Sequence, residues 1–405
     1  MSAPTSFDDI VRDGDRILIG TGAGEPSALV AELLDHAAET GKRLEFVQVT
    51  TGSEMNIGAA AEAGHRVLLP VAAPGSSPGD LVESLPLSMR QLAQAIDDGS
   101  LRIDGVLFSG SLREPASISA GTCVDVVPVA FDRARFRAVE INAGLPDVAA
   151  EPLLPLHRCD LVRHADRPPH PYASAVGEEV GRAIAKHVAS LVADGSAIEL
   201  GVGRALALVP AAMAEAGLRL SVHSGMISDW TQQLVADGVA SLPLACGGGR
   251  PVIGAVAIGS PAFYTWLDGS EAVLLVDSRH AHDPLHLGSL GNFVAINGAS
   301  AVDLTGQVGA TRGPGDRRGP GGLPDFAVGG MYGGRSIIAI ESTDSRGRSR
   351  IVPRVDVVHL TGTLVSHVVT EHGVAALAGM SWSRRRRALI DVAHPDHRRA
   401  LEVTV

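Results

Sequence analysis

The chain has 405 residues, more than one ordinary hydrophobic core accommodates, so we predict two domains. Its net charge of -11 argues against nucleic acid as the main partner, although an anionic ligand can still bind in a local pocket lined by backbone amides. No apolar run approaches the length of a membrane span, and the acidic N-terminus does not resemble a signal peptide.

The cysteines are few and widely spaced. Cys123, Cys159 and Cys246 form no disulfide framework, which is typical of proteins in a reducing cytoplasm. We therefore predict a cytoplasmic protein without a membrane segment.

A strand, a glycine-rich turn and a helix are predicted in succession in both halves of the chain. Asp15–Ile19 is predicted to be a buried strand, and the turn Gly20–Gly24 separates it from a helix that begins near Pro26. Later, a strand at Ala197–Leu200 precedes a second glycine turn and a helix from Ala205. Such a succession opens a βαβ unit, so we predict two related α/β domains built on parallel strands.

A proline-rich connection lies between the two halves. Pro168, Pro169 and Pro171 stiffen the segment His164–Tyr172 and cannot continue a helix. We place the domain boundary here, which predicts an N-terminal domain of residues 1–172 and a C-terminal domain of residues 173–405.

Other elements are predicted from apolar periodicity. Val124–Val129 and Val273–Val276 are predicted strands, and the helical spacing of apolar residues over Ser174–Ala193 predicts a helix. The C-terminus is predicted to be helical, with interruptions, from Glu371 to Leu401.

The segment Ser221–Asp229, which reads SVHSGMISD, carries the most informative motif. It resembles the catalytic segment of the acetyl-CoA hydrolase/CoA-transferase family, which includes 4-hydroxybutyrate CoA-transferase. Transferases of this family usually have His, Thr or Ser, Glu and Met in succession here, and the glutamate is their nucleophile. His223, Ser224 and Met226 keep the pattern, whereas Gly225 stands where the glutamate is expected.

Seven further segments resemble the same family and follow its order along the chain. The resemblance implies an α/β fold of two related CoA-transferase-like (NagB/RpiA-type) domains, with mostly parallel sheets and an active-site cleft between the domains. It also implies coenzyme A, bound as an acyl-CoA substrate, a small carboxylic acid as the acceptor in transfer, and a homo-oligomer. The seven segments are Ile19–Pro26, Glu140–Pro146, Ile198–Gly203, Asn297–Val308, Gly321–Phe326, Val368–Ala375 and Ala393–His397.

Glycine-rich segments are the CoA-binding candidates. Amides in glycine turns and at helix N-termini approach phosphates closely, and amides can also stabilise the oxyanion of a thioester reaction. Each glycine turn, considered alone, is also consistent with a tight turn that binds no ligand. The cofactor-binding residues implied by the resemblance are Val202, Gly203, Gly321, Gly322, Asp325 and Phe326.

A glycine at position 225 leaves the covalent mechanism of the family without its nucleophile. One hypothesis is hydrolysis, in which water attacks the thioester and His223, Glu25 or Glu140 acts as general base. His223 fits a packed structural histidine equally well, and Glu25 also fits a carboxylate that stabilises a helix N-terminus. Hydrolysis or a diverged reaction is favoured over transfer.

Two alternatives remain open. Ser224 or Cys246 replaces the missing nucleophile in the first, although a free cysteine is more often a buried apolar residue. In the second, the protein binds acyl-CoA without turning it over.

No metal site is predicted. His280, His282 and His286 are close in sequence, but their spacing fits no common zinc pattern and no cysteine lies near them in the sequence.

Overall fold

The computed structural model describes residues 6–49, 57–70, 80–113, 116–173, 179–310 and 319–403. The chain divides into two compact units. Unit 1 comprises Met1–Ala173, Gly225–Ser228 and Ile253–Ala281, and unit 2 comprises Ser174–Ser224, Asp229–Val252 and His282–Val405.

Short strands alternate with helices through most of the described chain. The strands are β1 (Arg16–Ile19), β2 (Glu45–Val47), β3 (Arg66–Pro70), β4 (Val82–Leu85), β5 (Gly105–Arg113), β6 (Ser117–Ser119), β7 (Phe136–Asn142), β8 (Ala149–Glu151), β9 (Leu154–Pro155), β10 (Leu161–Ala165), β11 (Ala197–Leu200), β12 (Ser221–His223), β13 (Met226–Ile227), β14 (Val252–Gly254), β15 (Val256–Ala257), β16 (Val273–Val276), β17 (Phe293–Asn297), β18 (Ala301–Asp303), β19 (Val308–Gly309), β20 (Gly334–Ala339), β21 (Ile351–Val352), β22 (His367–Thr370) and β23 (Gly373–Ala376).

The helices are mostly two to four turns long. They are α1 (Ser27–Thr40), α2 (Ile57–Glu62), α3 (Met89–Asp97), α4 (Val127–Arg133), α5 (Glu179–Ser190), α6 (Val209–Glu215), α7 (Asp229–Ala236), α8 (Pro261–Leu267), α9 (Ser278–Ala281), α10 (Pro284–Ser289), α11 (Leu323–Gly333), α12 (Trp382–Asp391) and α13 (Pro395–Val403).

A parallel sheet forms the centre of unit 1. Its strand order among the described residues is β10-β7-β5-β1-β2-β3-β4, and β6 and β9 extend β5 in antiparallel fashion. Ile17 and Ile19 of β1 are buried, and they share one hydrophobic core with Leu29 and Leu33 of α1. Continuous apolar runs of this kind are typical of parallel strands, because helices cover the sheet.

Two later segments of the chain are held in unit 1 by backbone hydrogen bonds. The Gly225 carbonyl accepts from the amides of Ala255 and Val256 at 3.2 and 3.0 Å, and β13 pairs with β15. Strand β16 pairs in parallel with β8. The sequence-based division into residues 1–172 and 173–405 stays a prediction. The compact units differ from it because Gly225–Ser228 and Ile253–Ala281, which follow residue 172 in the sequence, belong to unit 1.

Unit 2 is also built on a mainly parallel sheet. The described strands follow the order β23-β22-β20-β17-β11-β12, in which β23 alone runs antiparallel to its neighbour. A small sheet, β19-β18-β21, lies beside a core that includes Val302, Ile338 and Leu389. Helix α11 packs against β17, with the rings of Phe326 and Phe293 6.5 Å apart.

The α/β class with mostly parallel sheets is confirmed, as are both strand–turn–helix successions. β11 and β16 have the predicted bounds, and α1 follows the first glycine turn. Helix α6 begins at Val209 instead of Ala205, because a short 3-10 turn at Arg204–Leu206 precedes it. The predicted helix over Ser174–Ala193 is observed as α5, and its first five residues lie outside the described part of the chain.

Two element predictions are wrong. Val124–Val129 was expected to be a strand, but Val127 begins helix α4, where Pro128 suits the first turn. The C-terminal helical pattern was expected from Glu371, but β22 and β23 form an antiparallel hairpin there. Gly373 supplies the positive φ of 139° at its turn.

Among the described residues, no helix is both long enough and apolar enough to cross a membrane. The three cysteines are free, as expected.

Candidate functional site

Glu140 is completely buried near the end of β7 in unit 1 and is held by several donors. Its Oε1 accepts from Arg167 Nη2 at 2.8 Å and from Ser109 Oγ at 3.3 Å. Its Oε2 accepts from the Ala28 amide in the first turn of α1 at 3.1 Å. A carboxylate bound in this way is a strong anchor for the helix N-terminus.

Glu25 lies just before α1, also in unit 1. Its side chain is 1% exposed, and Oε2 accepts from Gln48 Nε2 at 3.3 Å. The same Arg167 that binds Glu140 donates to the Glu25 carbonyl. Glu25 also borders a cavity of about 430 Å³ that is lined mainly by small and apolar residues of α1 and α2. The structure thus brings Glu25 and Glu140 to the same helix N-terminus, and Arg167 is the linking residue that the sequence did not single out.

The segment with the family motif runs from strand β12 to strand β13. His223 is the last residue of β12 and is fully buried, Ser224 is 1% exposed, and Gly225 is partly exposed. In the parallel sheet of unit 2, β12 is the neighbour of β11, which places His223 at a carboxyl strand end. Ligands of open α/β sheets bind beyond such strand ends.

His223 belongs to a group of three side chains within unit 2. The ligand atoms of His223, Cys246 and His286 all lie within 4.8 Å of one another. The rings of the two histidines are 5.3 Å apart and inclined by 51°. Burial raises the pKa of the Cys246 thiol, and backbone N–H groups lower it only in part. A raised pKa disfavours the thiolate form in which a free cysteine acts as a nucleophile.

The glycine segments assigned to CoA occur at two places in unit 2. Val202 and Gly203 follow β11; Val202 is 47% exposed, and Gly203 has a φ of 141° with open space where a Cβ would be. Gly321 and Gly322 precede α11, and Gly321 also has a positive φ with open space beside it. Both segments therefore offer backbone that a ligand can approach closely.

Asp325 and Phe326 have different surroundings from the glycines. The Asp325 carboxylate lies 3.5 Å from His282 Nδ1, and the Phe326 ring is 4.7 Å from the His282 ring. All three side chains are buried. A Cβ on Gly322 would lie 2.7 Å from His282 and 2.5 Å from Phe326, so this packing requires glycine at the helix N-cap. Asp325 and Phe326 fix the start of α11, and His282 is a further residue that the sequence motif did not single out.

Glu199 is a buried carboxyl group that sequence reasoning also missed. It lies on β11, and its Oε2 accepts from Asn297 Nδ2 of β17 at 2.6 Å. Burial raises the pKa of Glu199 to about 8, against the lowering effect of this hydrogen bond. The signal in the sequence was an acidic residue within a buried strand that immediately precedes a glycine turn.

Comparison with known proteins identifies the family. Residues 259–405 match the acetyl-CoA hydrolase/transferase C-terminal domain. The 4-hydroxybutyrate coenzyme A transferase of Clostridium kluyveri is 31% identical over 293 residues, which cover 70% of this chain and 67% of that protein. The chain belongs to the acetyl-CoA hydrolase/CoA-transferase family.

Two other known proteins match over almost the whole chain. A succinyl-CoA:acetate/propanoyl-CoA:succinate CoA transferase of Fasciola hepatica is 27% identical over 97% of this chain and 84% of that protein. The crystal structure of RipA from Yersinia pestis has a TM-score of 0.86 at 25% identity, and the match covers 97% of this chain and 93% of that one. The predicted family and fold are thus confirmed, whereas the replacement of the glutamate by Gly225 stays a prediction.

Proposed function

We propose that this protein hydrolyses acyl-CoA thioesters and that water takes the role that glutamate has in the transferases of its family. The observation that carries the proposal is Gly225, which supplies no side chain for a covalent intermediate. Membership of a family named for both hydrolysis and transfer supports thioester chemistry in general.

Transfer through a replacement nucleophile has less support. Cys246 has a raised pKa, so little thiolate is present near neutral pH. Among the proposed bases, Glu140 is occupied by Arg167, Ser109 and the Ala28 amide, which favours an anchoring role. His223 and Glu25 are therefore the stronger base candidates in this proposal.

We further propose that CoA binds through the backbone near Val202–Gly203 and Gly321–Gly322. The open space at Gly203 and Gly321 supports a close approach by phosphate or thioester oxygen. Asp325 and Phe326 would then act by holding the start of α11, because their side chains pack against His282. A homo-oligomer and a cytoplasmic location remain predictions.

The decisive experiment measures free thiol and product mass from a panel of acyl-CoAs, with and without acetate or succinate. Release of CoA without an acceptor, accompanied by the free acid, is the expected result. A new acyl-CoA that forms only with the acceptor would establish transfer and overturn hydrolysis. Bound CoA with neither product would instead favour a binding protein.

A pair of substitutions at Gly225 tests whether the missing glutamate accounts for the proposed absence of transfer. We expect Gly225→Glu to gain transfer to added carboxylate and to form a glutamyl-CoA adduct, because the side chain restores the missing nucleophile. Gly225→Gln is the matched control, since it has the same size and no carboxylate. Peptide mass spectrometry of the Ser221–Asp229 segment detects the adduct. An adduct on this segment in the unsubstituted protein would contradict the proposal.

A further inference from the structure

Three potential metal ligands from distant parts of the sequence meet within unit 2. His223 ends strand β12, Cys246 lies in a 3-10 turn, and His286 is on helix α10. Their ligand atoms are all within 4.8 Å of one another. Ligand atoms around tetrahedral zinc are about 3.3–3.6 Å apart, as follows from Zn–N and Zn–S bonds of about 2.0–2.3 Å. The separations among the three ligand atoms therefore exceed those around a shared zinc ion by no more than about 1.5 Å.

The backbone that carries each ligand is well supported. His223 follows residues of β12 that pair in parallel with β11. The turn at Cys246 is closed by the Leu244 amide, which donates to the Arg250 carbonyl at 3.0 Å, and Gly248 and Gly249 provide its positive φ angles. Ligands fixed before binding reduce the entropy that a metal site loses on assembly.

Helix α10, which carries His286, is fixed at both its start and its side. Its N-cap Asp283 accepts from the Leu285 amide at 3.0 Å. A Cβ on Gly288 would lie 2.6 Å from Tyr332 of α11, so the two helices are in close contact. His286 is thus presented from a helix that packs directly on its neighbour.

The donor set itself points to the kind of ion. Two imidazoles and one thiol match the nitrogen and sulfur ligands that zinc prefers, and no hard carboxylate ligand is included. Structural zinc sites usually have four protein ligands, whereas catalytic sites have three and an open position. His223 is fully buried, while Cys246 and His286 are partly exposed.

We propose that His223, Cys246 and His286 bind one zinc ion whose open position holds the water that attacks the thioester. In this arrangement His223 acts as a metal ligand and not as the general base considered under the proposed function. The sequence alone predicted no metal, because Cys246 is 40 residues away from His286 and only the fold brings them together. In the sequence, His223 is two residues before Gly225. The proposal that zinc binds here does not depend on the proposed hydrolysis, whereas the role given to the water rests on it.

The proposed step is balanced without a further reactant. Zinc lowers the pKa of its bound water to about 7, so hydroxide is available near neutral pH. The hydroxide oxygen forms the new bond to the acyl carbon, the C–S bond breaks, and the CoA sulfur takes the proton that the water lost. The products are a carboxylic acid and free CoA.

Metal binding is tested on the full chain after chelation and dialysis. Titration with zinc against a chromophoric chelator should show one site per chain. Cys246→Ser and His286→Asn should each weaken zinc binding at least about tenfold, because loss of even an outer-shell partner of a ligand typically has an effect of this size. Cys159→Ser and His187→Asn are matched controls outside the group and should bind as the unsubstituted protein does.

Cobalt substitution distinguishes loss of a ligand from loss of the fold. A thiolate bound to Co²⁺ gives a charge-transfer band in the near ultraviolet, which Cys246→Ser should abolish and Cys159→Ser should retain. Circular dichroism of the metal-free variants checks that they remain folded. Absence of stoichiometric binding, or binding that neither ligand substitution changes, would overturn the zinc site.

Measurements of acyl-CoA hydrolysis at different zinc occupancies distinguish a failure of the zinc site from a failure of the proposed function. Hydrolysis that follows zinc occupancy supports both. Hydrolysis that persists after complete chelation would overturn the role of the metal and leave the proposed hydrolysis intact. Stoichiometric zinc without hydrolysis of any acyl-CoA would support the site and contradict the proposed function.

Discussion

At the scale of single residues, the carboxyl of Glu199 lies in an unusual environment. It is buried within a parallel sheet, and its hydrogen bonds with Asn297 and with the Ile296 backbone do not offset its loss of hydration. Its pKa is therefore raised from 4.5 to about 8. Near neutral pH the folded protein holds this carboxyl protonated, whereas the unfolded chain releases the proton.

Glu199→Gln should consequently change how stability depends on pH. Between about pH 4.5 and 8 the unfolded state of the original protein binds fewer protons, so its stability falls with rising pH by up to about 1.4 kcal/mol per pH unit from this group. Glutamine does not titrate, so Glu199→Gln removes this fall in stability with rising pH. Its side-chain oxygen still accepts from Asn297. The variant should gain stability relative to the original protein as pH rises, with a constant difference above about pH 8.

Urea unfolding of both proteins between about pH 5 and pH 9 measures the effect. Glu215→Gln, on the exposed side of α6, controls for the loss of one carboxylate. Parallel stability curves for Glu199→Gln and the original protein would contradict the expectation.

At the scale of elements, helix α11 requires a glycine at position 330, near the end of the helix where the chain turns back into β20. A Cβ on Gly330 would lie 2.3 Å from the Arg335 carbonyl oxygen, which cannot move without shifting β20. Gly330→Ala should therefore destabilise the protein by about 1–3 kcal/mol, although alanine favours helix formation.

A second helical glycine provides the control. In α5, a Cβ on Gly181 would meet the Arg204 carbonyl at 3.5 Å, which is an ordinary contact. Gly181→Ala should be neutral or stabilise by up to about 1 kcal/mol. Denaturant unfolding of both variants measures the difference, and equal effects would show that the close approach in α11 is not the cause.

The sequence predicted those elements whose signals are local. Strand β11 was found because an apolar run ends at a glycine turn, and β16 because four buried aliphatic residues stand together. The apolar run at Val124–Val129 has no period that distinguishes a buried strand from a buried helix, so α4 was missed.

The candidate site was predicted only where residues are neighbours in sequence. The family-like segments of the sequence located His223 and the glycine turns. Cys246 and His286, in contrast, come together only through the packing of a turn and a helix. Arg167 was missed for the same reason, because its partner Glu140 lies 27 residues earlier on another element. Long-range contacts of this kind leave no periodic signal in the sequence.

At the scale of the whole molecule, unit 1 is assembled from separate parts of the chain. The Val124 amide donates to the Ala255 carbonyl at 3.1 Å, and the Ala257 amide donates to the Thr122 carbonyl at 2.8 Å. A fragment of residues 1–172 lacks these partners and also lacks β16, the partner of β8. It should unfold without a cooperative transition and expose apolar surface.

Thermal unfolding and binding of a hydrophobic dye measure this expectation. A fragment of residues 1–281 contains all of unit 1 and should regain cooperative unfolding. If residues 1–172 unfold as cooperatively as residues 1–281, the returning segments are dispensable for the stability of unit 1.

The same discontinuity determines when unit 1 is completed during protein synthesis. Strand β8 leaves the ribosome long before β16, its hydrogen-bonded partner. About 120 residues separate the two strands, so synthesis at about 5–20 residues per second leaves β8 unpaired on the nascent chain for roughly 6–24 s. During that interval the nascent chain exposes the kind of unpaired strand that chaperones protect. The order of translation is therefore not the order of assembly.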